Sequence, residues 1–197
     1  MYTNIIRPAF CGVLALLICS LSVGCASLSG PTAMLSEPSL EYDKYKAQWV
    51  LTGAKYRPDS LWGSALKRVD TYVWMRGMVD EAGQHPTIQL YVDSSGEAAG
   101  GLVVTSASDS TGTPLTTHRL ENSFVQHTII GAVISPQEVF TVDLPRPFLD
   151  ARRAKGLDIR MNGYNNGSMT VLVTAAYLTD FLDRFDAMVA QKKATKG

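Results

Sequence analysis

Apolar and polar residues alternate with a period of two through most of the chain, which is the pattern of half-buried strands. Tyr45, Ala47, Trp49 and Leu51 share one face of a first strand. Val69, Thr71, Val73 and Met75 oppose Tyr72 and Trp74 along a second. Ile88, Leu90 and Val92 alternate with Gln89 and Tyr91, and Leu102-Val103-Val104 follows the Gly100-Gly101 pair. Leu115 to Leu120, Phe124 to Ile134 and Glu138 to Leu144 read as three more strands. Phe124 to Ile134 is apolar enough to be central. Polar turns such as Asp109 to Pro114 separate the strands, which predicts an antiparallel sandwich or a barrel-like sheet.

The last third carries sharper signals. Asn165-Asn166-Gly167 joins Leu157–Met161 to Met169–Val173, and Asn-Gly predicts a hairpin because a type I′ turn needs positive φ at both central residues. Pro147 to Lys155 predicts a short helix, with Pro147 suited to its first position and Gly156 to a left-handed cap. Ser135-Pro136-Gln137-Glu138 has the capping-box pattern and predicts a helical turn. A closing helix spans about residues 175–191. Tyr177, Leu178, Phe181, Leu182, Phe185, Met188 and Val189 form its apolar stripe, and Thr179, Asp180, Asp183, Arg184 and Asp186 lie opposite. That helix covers the sheet or docks a partner. The fold class is therefore α+β and β-rich.

The N-terminus follows another pattern. Arg7 precedes the apolar run Phe10 to Cys19, and small residues follow at Ser20, Ser22, Gly24, Cys25 and Ala26. These are the parts of an export signal. The uncharged stretch is near the lower limit for a bilayer span, roughly 17–25 residues, and no cationic stop follows it. Over the first 26 residues the chain resembles a bacterial lipoprotein precursor. Val23-Gly24-Cys25 matches the lipobox, with Ser22 where that family usually has Leu. The resemblance implies that Cys25 is lipidated and becomes the mature N-terminus. It also implies a second acylation at the new amino group. Two or more chains are needed for firm attachment, since each buried CH₂ contributes about 0.8 kcal/mol. Ala26 implies the outer membrane, facing the periplasm. Ordinary cleavage after Ala26 and a retained anchor are the alternatives.

Cysteine usage bears on that choice. Cys11 and Cys19 lie within the removable segment, so Cys25 is left as a lone thiol in an exported chain, and a thioether to lipid would use it. The expected organisation is a signal over 1–24, a lipidated tether over 25–42 rich in Ser, Gly and Pro, one domain over 43–191 and a frayed tail over 192–197.

Charge narrows the partners. The chain has 18 basic and 18 acidic residues; losing Arg7 with the signal leaves 17 against 18, a net charge of −1. A nucleic-acid module normally carries a basic excess, so no nucleic-acid partner is expected. Membrane contact would come from the anchor, and a protein partner in the envelope is expected.

His85, His118 and His127 form no metal-ligand spacing, and no metal or cofactor is expected. No Gly-x-Ser-x-Gly elbow or phosphate loop occurs. His118 and His127 fall in adjacent predicted strands and could meet across a sheet. Arg146, Arg152, Arg153, Lys155 and Arg160 form a cationic cluster. It is a solvated helix whose last-turn cations suit the dipole, or a contact for an acidic protein face, lipid A phosphates or a peptidoglycan carboxylate. Trp49 and Trp74 are expected in the core, and Trp62, in a polar loop, as a partner anchor. The expected role is a non-catalytic interaction or accessory subunit, with no catalytic residue assigned. A module for lipid or another small ligand is the alternative. A hydrolase would require His118 or His127 beside an acid and a nucleophile.

Overall fold

The computed structural model describes residues 34–58, 70–95, 104–128, 132–163 and 168–195, without the side chains of 70, 95, 121–128 and 132–136. Cys25, Trp62 and Asn165-Asn166-Gly167 lie outside the described residues. Six strands form one antiparallel sheet in the order β1-β2-β3-β4-β8-β7: β1 Ser39–Asp43, β2 Gln48–Thr52, β3 Asp70–Asp80, β4 Thr87–Ser95, β7 Thr117–Thr128 and β8 Ala132–Asp143. A second antiparallel sheet has the order β10-β9-β5-β6: β5 Val104–Asp109, β6 Pro114–Leu115, β9 Leu157–Gly163 and β10 Ser168–Val173. Among the described residues the helices are α1 Arg146–Arg152 and α2 Ala175–Thr195. This is a β-rich α+β fold, sandwich-like, with a C-terminal helix.

Alternation places the core. Thr71, Val73, Met75 and Val79 of β3 are buried, as are Leu90 and Val92 of β4 and Phe140 and Val142 of β8. On the second sheet Leu157, Ile159 and Met161 face Met169, Val171 and Val173 in register, and all belong to the same apolar cluster. Among the contacts that cross the layer, Tyr56 Oη donates to the Leu172 carbonyl at 3.0 Å, and Thr71 Oγ1 lies 3.8 Å from Met169 Sδ. Burying each large core side chain contributes about 1.5–3 kcal/mol.

α2 joins this core through the stripe read from the sequence, with Tyr177, Leu178, Phe181, Leu182, Phe185 and Met188 buried. Thr174 caps it, its hydroxyl accepting the Tyr177 N–H at 3.2 Å. Two glycines make the seat. A Cβ on Gly77 would strike the Phe185 ring, and one on Gly53 would lie 2.5 Å from Tyr177 Oη and 3.0 Å from Phe181. Gly53 begins an irregularity beside β3, where its N–H donates to Met75 O at 2.8 Å. Tyr177 Oη fills the gap, donating to Ala54 O at 2.9 Å and accepting from Met75 N–H at 3.1 Å.

Several expectations change. Tyr45 is not in a strand: Asp43 Oδ1 accepts the Tyr45 and Lys46 N–H groups at 3.0 and 3.2 Å, Ala47 has φ 50°, and β2 starts at Gln48. Residues 39–42, expected in the tether, form most of β1, because Leu40 and Tyr42 pair with Leu51 and Trp49 of β2. No helical turn forms at Ser135, which lies within β8. Pro136 lies just beyond Gln137, the last partner of β4, so its missing N–H is tolerated there. Phe124 to Ile134 is not one central strand: its described residues divide between β7, at the edge of the sheet, and β8, between β4 and β7. The expected tail at 192–195 is helical, continuing α2. The short helix is α1, with Pro147 in its first turn, and Gly156 at φ 83° follows it, its N–H donating to Arg152 O at 2.8 Å.

Candidate functional site: an apolar cleft and an aromatic recess

The cationic cluster meets the acidic face of α2. Arg146 donates to both carboxylate oxygens of Asp186, and its Nε donates to Asp150 at 2.9 Å. Arg153 pairs with Asp183. Arg152 pairs with Asp109, whose carboxylate also orders the β5–β6 turn by accepting the Thr111 N–H and Thr113 N–H, each at 2.9 Å. Among the described residues Arg160 reaches Ser168 Oγ, at 3.4 Å. The Asp186 bond raises the Arg146 pKa, and the same bond holds the Asp186 carboxyl below its usual range. Arg146, Arg152 and Arg153, expected as a partner contact, are thus held by carboxylates of their own chain.

The Arg146–Asp186 clamp borders a cleft of about 400 Å³ between β4, the end of β8, α1 and α2. Pro86, Ile88, Leu144, Pro145, Phe185 and Val189 make apolar walls. Gln89, Asp143, Arg146 and Asp186 supply its polar groups. Asp143 is itself held, accepting from Gln89 Nε2 at 2.8 Å and lying 2.9 Å from His118 Nε2. His118 therefore has an acid beside it, and among the described residues no hydroxyl is bonded to its ring. His118 and His127 do not face each other from adjacent strands. Both lie in β7, nine positions apart, roughly 30 Å along an extended chain.

A second concavity of about 360 Å³ lies where β1 and β2 meet the end of α2, lined by Tyr42, Trp49, Glu81, Lys192 and Thr195. The Tyr42 and Trp49 rings are 5.0 Å apart at 50°, the Tyr42 hydroxyl donates to Glu81 Oε1, and Lys192 Nζ lies 3.3 Å from the Trp49 ring centre. Trp49, expected in the core, is only partly buried and packs at the core's margin.

Trp74 also stands away from the interior. On the opposite face of the larger sheet it stacks on Tyr91 at 5.3 Å, and Lys55 Nζ lies 4.9 Å from its ring and 4.7 Å from that of Tyr72. Lys55 also pairs with Asp93 at 3.2 Å. Rings and cations alternate along this face.

Among the described residues no group of three or more His, Cys, Asp or Glu is placed to hold a metal ion, and no helix is long and apolar enough to cross a membrane. Periodicity missed Tyr42, Glu81, Lys192, Gly53 and Gly77. The acidic stripe of α2 and the basic run after Pro145 were both visible, and their pairing was the available signal. The class these features define is a two-sheet β-rich α+β protein that carries an apolar cleft and an aromatic recess. Comparison of the chain with protein-family models, curated proteins and solved structures finds no match.

Proposed function

We propose that this protein is a lipoprotein of the bacterial envelope, anchored through Cys25 to the outer membrane and facing the periplasm. Its domain acts as a non-catalytic accessory module that binds a protein partner. The anchor rests on the export pattern of residues 1–24 and on Val23-Gly24-Cys25. The observation that carries the domain's role is the cleft of about 400 Å³, whose apolar walls and polar groups match the chemistry of an interface pocket that receives one apolar side chain. Arg146, Arg152 and Arg153 are already held by Asp186, Asp109 and Asp183, which favours the cleft over the cationic cluster as the contact. Trp62 is kept as a second anchor. Small-ligand binding is the other reading, favoured by the recess lined with Tyr42 and Trp49.

Two measurements test the main reading. Mass spectrometry of the mature N-terminus is expected to find diacylglycerol on Cys25, and Cys25→Ser should release the protein from membranes. A mature start at Ser27, or a free Cys25 thiol, overturns the anchor. Pull-down of the detergent-extracted protein is expected to bring a stoichiometric partner that Val189→Lys loses without loss of the melting transition. Retention of that partner by the variant removes the cleft from the interface, and co-purified lipid in its place favours the second reading.

A further inference from the structure

We propose that the recess formed by Tyr42, Trp49 and Glu81 is a binding site for an organic ammonium group, and that Lys192 occupies it as an intramolecular stand-in. This names a ligand class for the small-ligand reading and rests on the recess alone, independent of the anchor and the cleft.

The recess is built by register. Tyr42 and Trp49 are cross-strand partners in β1 and β2, and their rings tilt at 50°, so they form two walls and not a closed stack. Glu81, in the turn after β3, accepts the Tyr42 hydroxyl and brings a carboxylate to the edge of the aromatic surface. The hydrogen bond to Glu81, with the charges of Glu81 and then Asp43, disfavours ionisation of Tyr42. An indole face with a carboxylate beside it attracts ammonium cations through the ring quadrupole and through charge. A cation already tests that chemistry, since Lys192 Nζ lies 3.3 Å from the Trp49 ring centre.

Lys192 arrives there through one helical turn. α2 extends to Thr195, and its end lies against the β3–β4 turn at Gly83. Gly83 has φ 72°, and a Cβ there would lie 2.8 Å from Lys193 Cγ and 3.0 Å from Lys193 N. A terminal helical turn opens at small free-energy cost. When it opens, Lys192 leaves the indole face and a free ammonium group can take its place. A tethered competitor acts at an effective concentration in the millimolar range, so removing it raises the apparent affinity of any free cation for the site.

The test titrates tetramethylammonium chloride into the detergent-solubilised full protein, with sodium chloride at matched ionic strength as control. The readout is the Trp49 indole N–H resonance. Lys192→Met is expected to bind at least about fivefold tighter than the wild type, since the tethered competitor is gone. Glu81→Gln in that background should weaken binding again. Lys192→Gln serves if Lys192→Met melts early. A folded Lys192 variant with no saturable shift overturns the site, and equal affinity in wild type and variant overturns the stand-in role. Either failure leaves the partner and the cleft untouched, because neither involves this recess.

Discussion

Arg146 grips Asp186 with both arms of its guanidinium, Nη2 donating to Oδ2 at 2.8 Å and Nη1 to Oδ1, while its Nε holds Asp150. One side chain thus ties the first residue of α1 to the middle of α2, across forty positions of sequence. The two partners are 38% and 44% exposed, so solvent screens the pair and its coupling is set at about 1 kcal/mol. A double-mutant cycle with Arg146→Met and Asp186→Asn, followed by urea unfolding, should return that coupling. It should shrink in 1 M salt, where the Debye length is about 3 Å.

Tyr177 is a stronger point of failure. Its hydroxyl satisfies Ala54 O and the Met75 N–H inside the core. Tyr177→Phe leaves both groups buried without a partner and should destabilise the fold by about 1–3 kcal/mol. The urea midpoint should fall with the slope unchanged, as no extra surface is exposed on unfolding.

Gly77 tests how closely α2 approaches the sheet. Gly77→Ala forces the Phe185 ring to move and should lower stability by about 1–3 kcal/mol. Adding Phe185→Leu should recover part of that loss. A Gly77→Ala protein as stable as the wild type would mean that the helix sits further from β3.

Acid stability should depend on Asp109. The Thr111 hydroxyl, then the Thr113 and Thr111 N–H groups and Arg152, hold its carboxyl below the usual range. A lowered folded-state value means that the native form binds fewer protons. Its stabilisation is present above the unfolded value, about 3.9, and is lost as pH falls through the lower folded value. Asp109→Asn should therefore flatten the loss of stability below about pH 4. Glu138 has the opposite sign. Desolvation raises its pKa above 4.5, against bonds from Val104 and Arg119. The native form then holds its proton longer, so stability falls as pH rises through the window just above 4.5, and Glu138→Gln should remove that fall. Unfolding curves across this range check both.

The local elements were readable where periodicity was clean. The strands 157–161 and 169–173, the buried stripe of α2 and the left-handed cap at Gly156 lie where alternation, 3.6-residue spacing and a lone glycine put them. Reading failed where a side chain overrode the period. Asp43 turned the chain back at Tyr45, and β pairing carried Ser135 and Pro136 into β8 against a local helix signal. The uncharged run from Phe124 suggested a central strand, yet the strand order put β7 at an edge.

The sequence by itself determined a strand-rich chain, its closing helix and its near-zero charge. Those features depend on neighbours a few residues apart, which the chain order records directly. Only the tertiary structure decided that Arg146, Arg152 and Arg153 meet Asp186, Asp109 and Asp183, that Gly53 and Gly77 seat α2, and that Lys192 covers Trp49. Each of those relationships joins residues dozens of positions apart, and their distances follow from sheet order and helix placement, which no local pattern encodes.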